Sequence, residues 1–306
     1  MAKRDFLLPL LAGGGREGVL RRRWGLALAS IVMLLLPALA FANTPAPPQR
    51  IVALGGDITE TIYALDAAAS LVGVDSTSQW PVAARKLPDV GYVRQLSAEG
   101  VLALRPQLIV ATHDAGPPSV ITQLRSAGVR MEILPVSHTP ADVVSKVRDI
   151  GRLLGRAAQA DVLAAKIEQQ YAALAVSAKT MAKHPRVLFL MSTGVGSPMA
   201  AGRDTAAEHA IALAGGHNVV DGYSGYKPIS AEALVGLAPE VIVLMCERSE
   251  QVGGVDGVLK LPGVLQTPAG KAKQVIFVDG QALLGFGPRS AEQAQALQRT
   301  LAGLAP

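Results

Sequence analysis

Cysteine is nearly absent: Cys246 stands alone in 306 residues. No disulfide can form within the chain, and no cysteine-rich zinc site can be assembled. Cys246 ends an aliphatic run and reads as a small buried hydrophobe. Histidine is also sparse. His113, His138, His184, His209 and His217 are scattered, with no pair at a zinc-ligand spacing. Surface and capping roles are the reading for all five, with His209 the one to consider as a second axial ligand to a bound metal. Enzyme signatures are missing too. There is no P-loop, no HExxH and no GxSxG around Ser197, and the GxG at Gly194 and Gly196 after a strand carries little by itself. The net charge of +5 lies mostly in the first 42 residues, which hold six basic and two acidic side chains. Without a basic stripe interleaved with aromatics, nucleic acid is excluded as a partner.

Long hydrophobic runs are lacking as well. The apolar stretch 26–40 has the length of a signal h-region and is short for a membrane span. Arginines at 21, 22 and 23 precede it, and Ala38, Ala40 and Ala42 supply a small-residue cleavage site. The expectation is a signal peptide over residues 1–42, a proline-rich tether over 43–49, and an exported, periplasmic product. The arginine cluster leaves twin-arginine export open beside the general route, and a retained membrane anchor is the alternative. No cysteine lies near the cleavage point to carry a lipid.

What the chain does contain is a repeat. Residues 97–111 read SAEGVLALRPQLIVA and residues 230–244 read SAEALVGLAPEVIVL, identical at seven of fifteen positions. Each has a capping serine, an early acid (Glu99 or Glu232), a short helix, a proline and an aliphatic strand. Their wide separation suggests two lobes of related build. Alternating strand and helix patterns flank both copies. Strands are expected at 51–56, 71–77, 108–114 and 129–136, then at 187–191, 241–245 and 275–279. A helix-forming stretch over 139–183 lies between the two series, capped by Thr139, with Gly151 and Gly155 able to bend or split it. The expected fold is α/β: two Rossmann-like lobes with central parallel sheets, over 50–138 and 184–306, joined by a long interdomain helix. Ligand belongs in the cleft between them.

The loop PDVGYVRQLSAEG, 88–100, is the most distinctive string. Its Tyr92 is either a half-buried loop aromatic or a ligand for ferric iron, since phenolate is a hard anionic oxygen donor. Ligation requires loss of a proton with a reference pKa of ~10. Arg94, two residues on, can supply the favouring positive charge if the two side chains point together. Arg203, Lys227 and Arg289 sit in loops that can border the cleft, where they suit carboxylates. Tyr223 and Tyr226 can pack on a flat apolar ring.

From about Gln49 onward the chain resembles the periplasmic substrate-binding proteins of ABC importers, in the group whose two lobes are joined by a long helix. Within that group it is most similar to the haem-binding proteins. The strings that carry the likeness are RIVALGGDITETIYAL, GYVRQLSAEGVLALRPQLIV, AGRDTAAEHAIALAGG, GYKPISAEALVGLAPEVIVL and GFGPR. The resemblance implies haem b as transported ligand, with Tyr92 on the iron and Arg94 supporting the tyrosinate. Glu99 and Glu232 would dock on the two subunits of an ABC permease served by its ATPase. An outer-membrane receptor system would supply the haem, and five-coordinate iron is the default. The other readings are a binding protein of the same build for cobalamin or a ferric siderophore, and an exported metal-dependent enzyme using the histidines.

Overall fold

The computed structural model describes residues 47–192 and 198–304. The expected signal peptide, residues 43–46 of the tether, and Gly194, Gly196 and Ser197 lie outside the described residues. No described helix is long and apolar enough to cross a membrane.

In the first lobe, strands β1 (Ile51–Leu54), β2 (Leu71–Val74), β3 (Leu108–Ala111) and β4 (Arg130–Ile133) form a parallel sheet of order β2-β1-β3-β4. Helices α1 (Gly56–Ala64), α2 (Ala98–Ala103) and α3 (Pro118–Ser126) connect them. The second lobe has β5 (Arg186–Ser192), β6 (Met199–Ala201), β7 (His217–Asn218), β8 (Tyr226–Pro228), β9 (Val241–Met245) and β10 (Val275–Val278). Its parallel part runs β7-β5-β9-β10, the same order as in the first lobe. The sequence repeat therefore marks equivalent elements: β3 beside β1, and β9 beside β5. Strands β6 and β8 extend the second sheet antiparallel. Sequence reading missed them, because three residues carry too little alternation to register as a strand.

The stretch 139–183 is two helices rather than one. Helix α4 (Pro140–Leu153) begins in a capping box, with Thr139 Oγ1 accepting from Asp142 N and the Asp142 side chain accepting from Thr139 N. It ends at Gly155, whose φ of +65° takes the left-handed conformation that glycine adopts without strain. The amide of Arg156 donates to Gly151 O at 2.7 Å and that of Gly155 to Arg152 O at 3.3 Å, which satisfies the last carbonyls. Helix α5 (Ala157–Lys179) follows and packs against α4.

The second lobe continues with α6 (Ala206–Leu213), α7 (Ala231–Leu237) and the short helices α8 (Ser249–Val252), α9 (Gly254–Leu259) and α10 (Pro268–Lys271). Helices α11 (Gly280–Leu284) and α12 (Ser290–Ala302) close the chain. Alternate strand residues feed different cores. Ile51, Leu108, Val187 and Val241 join one cluster with α4, α5 and α12 that runs through both lobes. Val52 and Ile109, or Leu188 and Ile242, point into separate outer clusters. Burial on both faces explains why these strands read as unbroken aliphatic runs. Cys246 departs from expectation. Strand β9 ends at Met245, a 3-10 turn starts at Cys246, and the thiol is lifted out to an exposed position.

Candidate functional site

A cavity of about 520 Å³ lies at the carboxyl ends of both sheets, within the ordinary size range of ligand sites. Its wall draws Gly55 after β1, Thr77 after β2, Thr112–Asp114 after β3 and His138 after β4. Across the cleft come Met191 of β5, Met245 of β9 and Gly280 after β10. This is where open α/β sheets present their loops to a ligand.

Tyr92 and Arg94 line this cavity and do point together. Gly91 turns the loop with φ +92°, its amide held by Asp89 Oδ1 at 2.8 Å. Tyr92 is 37% exposed. Arg94 Nη1 donates to the Tyr92 hydroxyl oxygen, while Arg94 Nε donates to Asp114 Oδ2 at 2.7 Å and Nη2 lies 2.5 Å from the same atom. Burial alone would pull Arg94 below the usual arginine pKa. The bond and charge of Asp114, with Tyr92, outweigh burial and raise it. Burial pushes Asp114 up, but the Thr112 hydroxyl and Arg94 hold it below the usual carboxylate value.

The histidines are less scattered than the sequence implied. His113 and His138 both line the cavity. His138 is sandwiched, its ring 5.0 Å from that of His209 and 5.3 Å from that of Phe286. Burial, then electrostatic repulsion of its charged form by His209, His113 and Lys146, lowers the His138 pKa from 6.5, with Asp142 opposing. His209 touches His138 and is not itself in the cavity wall. His184 bonds Gly215 O at 2.7 Å and His217 is exposed in β7.

Arg289 requires a correction: it is not free for a ligand carboxylate. Its Nε donates to Glu60 Oε2 at 3.0 Å, its backbone amide to Glu60 Oε1 at 2.9 Å, and its Nη1 to Asp279 Oδ2 at 2.7 Å. Its guanidinium also lies 4.5 Å over the Trp80 ring. Two carboxylates and an aromatic face occupy the group. Arg203 and Lys227 are exposed and lie outside the cavity wall. Lys227 Nζ sits 5.1 Å over the Tyr223 ring. Tyr226 is half-buried, and burial raises its pKa. Glu99 and Glu232 are both exposed at the first turns of α2 and α7, after the capping serines Ser97 and Ser230.

With this geometry in place, comparison with known proteins is decisive for the family. Residues 51–282 match the periplasmic binding protein family. The chain belongs to that family. The apo form of the periplasmic heme-binding protein RhuT from Roseiflexus sp. RS-1 superposes with a TM-score of 0.80 at 39% identity, covering 83% of this chain and 98% of that one. A periplasmic heme-binding protein from Pseudomonas aeruginosa gives a TM-score of 0.78 at 36% identity, covering 85% and 94%. A cobalamin-binding protein of Halobacterium salinarum is 32% identical over 64% of this chain, and the chain spans only about half (53%) of that relative's length.

In this periplasmic binding protein, the floor of the cleft holds residues that sequence reading missed. Lys146 of α4 and Asp57 of α1 form an ion pair at 2.5 Å, with only 5% and 8% of their side chains exposed. Lys146 also donates to Gly285 O at 3.3 Å. Gln281 of α11 donates to Gly56 O at 3.1 Å and accepts from Gln79 N at 2.9 Å. These bonds, with Glu60–Arg289, tie the start of α1 to the 279–289 segment. A charged residue within a helix buried all round was the available signal: Asp57 and Glu60 lie in the stretch of α1, Gly56 to Ile62, whose residues are all buried.

Proposed function

We propose that this periplasmic binding protein is exported, captures haem in the interlobe cleft and delivers it to an ABC permease. The observation that carries the reading is Tyr92 at the cavity wall, its oxygen already accepting a bond from Arg94. A phenolate there is an anionic oxygen ligand for ferric iron, and a guanidinium beside it favours the charged form. Leu134, Met191, Met245 and Leu284 line the same space and suit the apolar faces of a porphyrin. Arg203 and Lys227 remain the propionate candidates, on charge. His209, the candidate second axial residue, lies against His138 and outside the cavity wall, so iron held by Tyr92 alone is the default. The loaded protein would present Glu99 and Glu232 to the paired permease subunits, with ATP hydrolysis on the associated ATPase driving transfer. An outer-membrane receptor system would supply the haem.

The solved relatives named for heme support this over cobalamin, matching at 36–39% identity over more than four-fifths of the chain. The relative named for cobalamin matches at 32% over 64%. That second match keeps cobalamin as the competing ligand.

Hemin titration of the mature protein beside Tyr92→Phe is the test. The expected result is saturable binding with a high-spin ferric tyrosinate spectrum, lost in the variant together with about tenfold or more in affinity, or ~1.4 kcal/mol. An unchanged spectrum in the variant would move the iron ligand elsewhere. Absence of hemin binding, with saturable cyanocobalamin binding, would replace haem by cobalamin.

A further inference from the structure

We propose that Asp114 is a positioning residue for the ligand oxygen of Tyr92, acting through Arg94. The inference rests on the haem reading and goes beyond it, because it assigns a role to a residue of a different loop.

Arg94 belongs to an exposed loop, with 57% of its side chain accessible. A long cationic side chain in that setting samples many rotamers, and its attraction to a phenolate is diluted by water. Asp114 removes that freedom. It takes the Nε and Nη2 side of the planar fork through Oδ2, at 2.7 and 2.5 Å. With that side fixed, the plane is fixed, and Nη1 is the nitrogen left to meet the Tyr92 oxygen, as it does. Asp114 is itself anchored, because Thr112 Oγ1 donates to its Oδ1 at 2.7 Å. The two loops are also joined through backbone. The amide of Gly116 donates to Val93 O, and that of Leu96 to Gly116 O, both at 2.9 Å. The chain Thr112–Asp114–Arg94–Tyr92 thus runs from the end of β3 to the proposed iron ligand with each step held. Outer residues that orient a metal ligand are commonly worth tenfold or more in metal affinity.

Asp114 lines the cavity but bonds Arg94 and Thr112 rather than Tyr92, so on this proposal its effect on the ligand oxygen passes through Arg94. That makes a double-mutant cycle the appropriate experiment. Hemin complexes of wild type, Asp114→Ala, Arg94→Ala and the double variant would be compared. Two readouts serve: the ferric tyrosinate charge-transfer band, and the rate of haem loss to an excess of a haem-scavenging protein. The expected result is a shifted band and about tenfold faster loss in Asp114→Ala, a double variant no worse than Arg94→Ala alone, and partial recovery in Asp114→Glu. If Asp114→Ala fails to fold by circular dichroism, Asp114→Asn carries the same comparison. Additive effects of the two substitutions would overturn the proposal, as would a band and loss rate equal to wild type. In either case Tyr92→Phe still tests the haem reading by itself. If instead Tyr92→Phe keeps the wild-type spectrum, the haem-ligand assignment fails first and this proposal with it.

Discussion

Arg289 shows how much a single residue's role depends on partners that sequence does not reveal. Its position in the string GFGPR suggested a carboxylate on the ligand, yet the carboxylates it meets belong to the protein. Glu60 is 4% exposed, and burial raises its pKa while Arg289 pulls the other way. Removing the guanidinium strands a buried acid, which ordinarily costs about 3–5 kcal/mol. Glu60 can escape part of that cost by taking a proton. Arg289→Met should therefore lose about 3 kcal/mol at pH 7, the lower end of that range, and less as pH falls. Urea unfolding at pH 7 and pH 5 measures both. Hemin affinity of the folded variant should stay near wild type, whereas a large loss would restore Arg289 to the binding site. The contact of Tyr92 with Arg94 at the cavity wall could be anticipated because phenol, glycine and arginine fall within four consecutive positions of one loop. The part of Asp114 was not legible, since it is twenty residues from Arg94 and the two loops are joined by backbone bonds, Gly116 N to Val93 O and Leu96 N to Gly116 O, that leave no trace in the sequence.

Elements were legible where local chemistry determines them and obscure where tertiary pairing does. The capping serines of α2 and α7 and the proline breaks could be read directly, and Ala233 N does donate to Ser230 Oγ at 3.2 Å. The split between α4 and α5 could be anticipated from Gly155 but not decided, because a glycine inside a helical pattern is compatible with either outcome. Strands β6, β7 and β8 depend on neighbours far along the chain and left no periodic trace. The cap of α4 gives an element-scale prediction. The Thr139 hydroxyl lowers the Asp142 pKa, burial opposes, and the amides of Thr139 and His138 lower it further. A carboxyl held below its unfolded value contributes stability that is present above that value, near pH 4. The contribution is lost as pH falls through the folded value. Thr139→Ala should thus cost about 1 kcal/mol at neutral pH, or roughly 2–4 °C in melting temperature. The gap from wild type should narrow below about pH 4. A gap that stays constant down to pH 3 would mean that Asp142 contributes nothing through this cap.

At the scale of the whole molecule, the duplication visible in residues 97–111 and 230–244 becomes two sheets of the same strand order sharing one core through α4, α5 and α12. A core common to both lobes, with Arg289, Gln281 and Lys146 bonded across the cleft floor, ties the lobes together. Glu99 and Glu232 then project at equivalent places, each exposed one residue into its helix. Neither carboxylate lines the cavity, so binding of cargo and docking on a permease should be separable by mutation. Glu99→Lys and Glu232→Lys each reverse one exposed charge. Either should leave hemin affinity and the ferric spectrum as in wild type while sharply reducing haem transfer into proteoliposomes that hold the permease and its ATPase. Reversing both should reduce it further, and Glu→Gln at either position should be milder, because removing an attraction is less harmful than adding a repulsion. The informative quantity is the ratio of transfer to binding. If both fall together, the acids act on the fold or the cleft. If neither falls, the permease grips another surface. A selective fall for both single variants is what a two-fold partner reading a two-lobed protein requires.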